Sequence, residues 1–88
     1  MKFERISINP KVMMGKPCIK GTRITVELIL EKLGSGGTIE YLLDAYPHIT
    51  REDILEAINY ANAILKNESL YLIIMVVFLF LSVSVLLR

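Results

Sequence analysis

The sequence predicts a mainly α-helical protein: a small three-helix head with a short N-terminal strand or hairpin arm, followed by a C-terminal hydrophobic helix. Three observations carry this. Apolar residues recur at helical spacing in three successive stretches between residues 26 and 65. Each stretch begins at a threonine, and Gly or Pro residues separate the first from the second and the second from the third. After Glu68 the composition turns abruptly apolar.

Taken in order, Phe3–Ile8 reads FERISI, and its apolar Phe3, Ile6 and Ile8 predict a short edge strand that Asn9-Pro10 ends as a turn. Residues 15–25 are basic and punctuated by Gly15, Pro17 and Gly21. Lys20-Gly21 is read as a tight turn between two short extended pieces, Cys18–Ile19 and Arg23–Ile24, making a hairpin or an ordered arm.

Val26, Ile29, Leu30 and Leu33 then fall at i, i+3, i+4 and i+7, with Thr25 as N-cap and Gly34-Ser35-Gly36-Gly37 as the stop. Ile39, Leu42, Leu43 and Tyr46 repeat the spacing, capped by Thr38 and limited by Pro47. Thr50-Arg51-Glu52-Asp53 fits a capping box for a third helix, from residue 51 to about 66, with its stripe on Ile54, Ile58, Ala61 and Leu65. Glu52 and Asp53 suit the positive end of that helix dipole.

The chain of 88 residues has room for one domain, divided here into a head over 1–68 and a hydrophobic segment over 70–87. A head of that size lies near the lower limit for a self-sufficient core, so a homodimer is expected. The net charge of +1 hides an asymmetry. Up to residue 25, Lys2, Arg5, Lys11, Lys16, Lys20 and Arg23 face Glu4 alone, a surplus of five positive charges. Residues 26–68 carry an equal surplus of negative ones. Two faces of opposite sign follow, only one of them suited to a polyanion.

Little in the residues points to catalysis. His48 is the single histidine and sits in the turn before the third helix, where a turn or capping role is expected. Cys18, the single cysteine, has no disulfide or CxxC partner and reads as a small buried hydrophobe. No cofactor, no metal set and no enzyme activity are expected. The first 20 residues lack an apolar signal core, which predicts a cytoplasmic head.

The second and third helices, joined by Tyr46-Pro47-His48-Ile49, have the lengths and short turn of a helix-turn-helix. A DNA-reading version inserts the N-terminal residues of its second helix into the major groove, but here these are Arg51, Glu52, Asp53 and Glu56. Three acids against one base repel phosphates. The basic arm is the better nucleic-acid candidate. Lys11, Lys16, Lys20 and Arg23 supply flexible donors, Gly21 permits close backbone approach, and Thr22 offers a hydroxyl. The acids Glu52, Asp53 and Glu56 are candidates for a basic protein partner. The bland alternative is a charged hairpin that keeps a sheet edge soluble.

Leu70–Leu87 contains 18 residues without charge, Gly or Pro. As a helix it measures about 27 Å, and a single membrane span anchoring the head is expected. A greasy helix within an oligomer and a non-native extension created by a frameshift or readthrough are the alternatives.

The stretch from Ile8 to about Ala63 resembles the bacterial and archaeal domain-of-unknown-function family 433. The run Gly15-Lys16-Pro17-Cys18-Ile19-Lys20-Gly21-Thr22-Arg23-Ile24 carries the resemblance together with Tyr46-Pro47-His48-Ile49-Thr50-Arg51-Glu52-Asp53-Ile54. Asn9-Pro10, Val26, Ala57 and Tyr60-Ala61 add to it. The resemblance implies a helix-turn-helix-like, homeodomain-like fold and no catalytic residues. It further implies the antitoxin half of a VapBC-type pair, which neutralises a PIN-like nuclease toxin by direct binding and binds its own operator DNA. Members of the family typically end near the position of Asn67, so the apolar tail is a departure. A membrane-tethered adaptor or structural protein without a nucleic-acid role is the alternative function.

Overall fold

The computed structural model describes residues 3–66 and 68–86. It is mainly helical with one two-stranded sheet. In chain order come β1 (Ile6–Ser7), a short 3-10 turn at Met13–Gly15, β2 (Cys18–Ile19), α1 (Val26–Gly34), α2 (Ile39–Ala45), α3 (Arg51–Leu65) and α4 (Glu68–Leu86).

The expected strand over Phe3–Ile8 shrinks to two residues. β1 pairs antiparallel with β2, Ile6 opposite Ile19 and Ser7 opposite Cys18. Local turns consume the flanks. The Ile6 amide donates back to the Phe3 carbonyl at 3.2 Å, and the Asn9 side chain accepts the Lys11 amide at 2.9 Å. On its other side the expected return strand, Arg23–Ile24, does not form: the Ile19 amide donates to the Ile24 carbonyl at 2.9 Å, and a single bridge joins Cys18 to Thr25, one residue past it.

The turn between them forms where the sequence places it. The Thr22 amide donates to the Ile19 carbonyl at 3.0 Å, and Gly21 in the third position has φ +79, the signature of a type II turn. A Cβ at Gly21 would meet nothing within 4 Å, so only backbone strain opposes one. Gly21→Ala is expected to cost about 1–2 kcal/mol, read as a lower urea midpoint with an unchanged slope.

All three helix starts carry the threonine caps the sequence predicts. Thr25 accepts from the Leu28 amide at 3.0 Å and Thr38 from the Tyr41 amide at 3.0 Å. Thr50 and Asp53 close a reciprocal capping box. α2 stops at Ala45, one residue before its expected apolar end, because Pro47 holds Tyr46 out of the helical region (φ −127, ψ 80).

The core joins one fully buried side chain from each of these helices, Ile29, Leu42 and Ile54, to Ile19, Val26, Ile49 and Ala57. Cys18 is buried as well, as expected of a small hydrophobe. The stripes are narrower than their spacing implies. Leu30 and Leu65 remain exposed, and Ala57 takes the buried position one residue before Ile58.

The expected membrane anchor needs correction, and with it the localisation it implied. Among the described residues, no helix is long and apolar enough to cross a membrane. Leu87, the last residue of the expected span, lies outside the described residues, as does Asn67.

Candidate nucleic-acid interface

The arm is built from β1, the 3-10 turn, β2 and the Gly21 turn, and it gathers the basic residues of the N-terminal quarter. Lys11, Lys20 and Arg23 are exposed. Among the described residues, none of the three makes an ion pair. A shallow depression of about 420 Å3 lies between β1 and the Gly21 turn, lined by Ser7, Asn9, Val12, Gly21, Thr22 and Arg23. A second, lined by Phe3, Glu4, Ile6, Ser7 and Lys20, runs beside it.

Two predicted members of this set are already engaged. The Lys16 ammonium lies 3.3 Å from the Glu27 carboxylate, an exposed pair that places a negative charge beside it. The Thr22 hydroxyl donates to the Ile19 carbonyl at 2.8 Å and accepts the Ile24 amide at 3.0 Å. Its one hydrogen is committed to the turn, so Thr22 shapes the arm and has none left for a phosphate. Gly21 serves the same turn through its positive φ.

Between Lys11 and Lys16 the chain makes a knuckle. Met13, Met14 and Gly15 all have positive φ, at 49, 57 and 81. Such a conformation costs an L-residue roughly 1–2 kcal/mol. Three amide bonds at 2.9–3.2 Å pin it, Val12 to Asn9, Gly15 to Val12 and Lys16 to Met13. Met14 is 90% exposed at its tip. Nothing in the composition announces this knuckle, since methionine carries no left-handed preference.

The acidic candidates of α3 meet a different fate. Asp53 is buried: one carboxylate oxygen accepts the Thr50 amide at 2.9 Å, and the other lies 3.2 Å from the Arg5 guanidinium. Glu56 accepts the backbone amide of Arg5. Both acids therefore fasten the β1 end of the chain onto α3. Glu52 alone of the three stays exposed without such a bond among the described residues. Beside it the Arg51 guanidinium bonds Glu40 at 2.6 Å and holds that carboxyl below the usual range. Arg5 is the functional residue the sequence reading passed over. Its bond to Asp53 spans 48 positions, and the only hint was a lone base beside the strand facing an acidic helix start.

The chemistry available here is electrostatic. His48 is exposed in the α2–α3 connection. The Cys18 thiol donates to the Lys16 carbonyl at 3.3 Å, and burial pushes its pKa up, which leaves it a poor nucleophile. Among the described residues, no three His, Cys, Asp or Glu side chains gather as a metal site. Pro17, Val26, Leu30, Ala61, Ile64 and Leu65 line an open apolar groove between α1 and the end of α3.

Comparison with known proteins adds three findings. A family described as "Protein of unknown function (DUF433)" matches residues 6–61. The uncharacterized protein y4eO of Sinorhizobium fredii is 32% identical over 60 residues, which are 68% of this chain and 27% of that one. The crystal structure of a DUF433 member protein from Anabaena variabilis is 34% identical and superposes with a TM-score of 0.66, over 67% of this chain and 58% of that chain. The chain thus spans about a quarter of the curated relative and somewhat more than half of the crystallised one.

Proposed function

The chain belongs to the DUF433 family, a family of unknown function, and on that premise we propose that it is a non-enzymatic binding module whose arm contacts the phosphate backbone of DNA. In this reading it is the antitoxin half of a VapBC-type pair that neutralises a PIN-like nuclease and binds its own operator. One observation carries the DNA half: Lys11, Lys20 and Arg23 project from one arm, exposed and free of ion pairs among the described residues, while Asp53 is paired with Arg5 and Glu56 accepts the Arg5 backbone amide.

The three head helices are read as helix-turn-helix-like and homeodomain-like, with α2 and α3 joined by a five-residue connection, 46–50. The start of α3 is a poor reading surface. Arg5 occupies its Asp53, and Glu52 beside it repels phosphates. The arm takes over the contact, and a contact made mainly to phosphates positions the protein more than it specifies a sequence.

Titration of the full chain into operator DNA from upstream of its own gene, across a salt series, tests this. Binding is expected to weaken steeply with salt. Lys11→Ala, Lys20→Ala and Arg23→Ala combined are expected to reduce the slope of log K against log salt by about three. An unchanged slope in the triple variant, or no salt-dependent binding at all, sinks the DNA half. The toxin half is tested by co-expression with the neighbouring gene. A nuclease that does not co-purify, or one that stays active in the complex, removes it. Within that half, Glu52 is the acidic contact expected to matter, since Asp53 and Glu56 are already bonded to Arg5.

A further inference from the structure

The Met13–Gly15 knuckle works against stability on two counts. Its residues hold φ of 49, 57 and 81, a region that glycine occupies freely and methionine only with strain. Met14 is also 90% exposed, so a large apolar side chain stands in water and adds nothing to the core. The backbone beneath it is nevertheless fixed. Three amide bonds pin the loop, and the chain folds back until a Cβ at Gly15 would lie 3.7 Å from the Pro10 Cα. Strain that the surroundings hold in place is a mark of functional positions.

The charge around the knuckle says what kind of partner fits. Between Ile8 and Thr25 the chain carries Lys11, Lys16, Lys20 and Arg23 and no acidic residue. Val12, at the base of the knuckle, lines the same depression as Arg23. The exposed methionine therefore rises from the basic arm itself. An apolar tip among exposed cations is complementary to a duplex, which has phosphates outside and stacked base planes within. Proteins that grip the minor groove often kink it by driving an apolar side chain between two base pairs. Methionine suits that task, being unbranched and polarizable. The preset backbone also spares the cost of ordering the tip on binding. An apolar pocket on a protein takes such a tip as well, but the acid-free, cationic surround favours the duplex.

Resting on the DNA reading above and deepening it, we propose that Met14 is a wedge that enters the minor groove and inserts between two base pairs, while Lys11, Lys20 and Arg23 hold the flanking phosphates. The duplex kinks at that step. Phosphate contacts carry no base preference, whereas a wedge favours steps that unstack easily, a pyrimidine followed by a purine. The wedge thus supplies a sequence preference that the acidic start of α3 does not.

Energy transfer between dyes on the two ends of the upstream operator duplex, titrated with the full chain, tests this. The parent is expected to bend the duplex by roughly 20–90°. Met14→Ala and Met14→Gly are expected to lose the bend and to bind about fivefold more weakly, with the salt slope unchanged because no charge is removed. Met14→Leu keeps an apolar tip and is expected to keep the bend. Met14→Gly relieves the left-handed strain, so its urea midpoint is expected not to fall below the parent's, which separates lost bending from lost folding. Steeply salt-dependent binding without a bend, or a bend that survives Met14→Ala, overturns the wedge and leaves the phosphate reading standing. A Met14→Leu variant that fails as Met14→Ala does also overturns it, because apolar bulk is then not what matters. If Met14→Ala acts on DNA as the parent does but no longer holds the neighbouring nuclease, Met14 is a protein contact and the wedge is wrong. No salt-dependent binding by the parent sinks both readings together.

Discussion

Ile54→Ala is expected to destabilise the head by about 3–5 kcal/mol. Ile54 has no exposed surface and lies in the cluster where Ile29 of α1 and Leu42 of α2 are equally buried. The truncation removes transfer free energy and also leaves a cavity walled by three different helices. No single helix can close that cavity without tearing another from the core. A head of this size commands roughly 3–10 kcal/mol in total, so the variant sits near the edge of folding. Urea unfolding followed by circular dichroism reads the loss. Leu55→Ala, one residue along and 45% exposed, is the control and is expected to stay within about 0.5 kcal/mol of the parent. Equal losses at 54 and 55 would falsify the burial pattern on which the three-helix core rests.

That contrast between neighbours was legible in the sequence only in outline. Helical periodicity marked the positions of all three head helices, because a 3.6-residue period and a threonine cap are local signals. Periodicity could not say how wide each buried stripe is. Whether Leu30, Ile58 or Ala57 goes inside depends on where the other helices cross, and that information is spread over the whole chain. The sheet was harder for the same reason. Ile6 pairs with Ile19, and nothing near either residue encodes the other. The left-handed Met13–Met14 knuckle was invisible, since it is imposed by the hydrogen bonds around it and not by its own residue types.

The site divides along the same line. Charge counting found the basic arm, and Lys11, Lys20 and Arg23 are exposed there as composition suggested. It could not find which charges cancel. Lys16 meets Glu27, and Arg5 meets Asp53, through contacts between elements that a charge tally treats as separate surfaces. The same blindness misled the reading of α3, where three acids looked like one open face. Composition also overreached at the C-terminus. An uncharged apolar run was taken for a membrane span, whereas no helix among the described residues is both long and apolar enough to cross one.

Asp53→Ala is the sharpest test of the inward-turned acid, with an expected loss of about 2–4 kcal/mol. The Asp53 carboxylate does two jobs. It completes the capping box with Thr50, accepting that residue's amide at 2.9 Å while its own amide donates to the Thr50 hydroxyl at 3.2 Å. It also bonds Arg5, fastening the arm to α3. The two contributions are unequal. Asp53 keeps 12% side-chain exposure, but the Arg5 side chain keeps 47%, so water screens the ion pair and it is worth no more than about 1 kcal/mol. The cap dominates, because removing the carboxylate strands the half-covered Thr50 amide at the mouth of α3. Arg5→Ala, which retains the Arg5 backbone amide bonded to Glu56, is therefore expected to cost less than half of what Asp53→Ala costs. A double-mutant cycle between the two positions is expected to return a coupling below about 1 kcal/mol. If Arg5→Ala proves as damaging as Asp53→Ala, with a coupling to match, the acid serves mainly as an anchor for the arm. The basic surface proposed for DNA would then depend on that anchor for its shape, and Asp53→Asn, which keeps one acceptor for Thr50, would weaken DNA binding while sparing the helix.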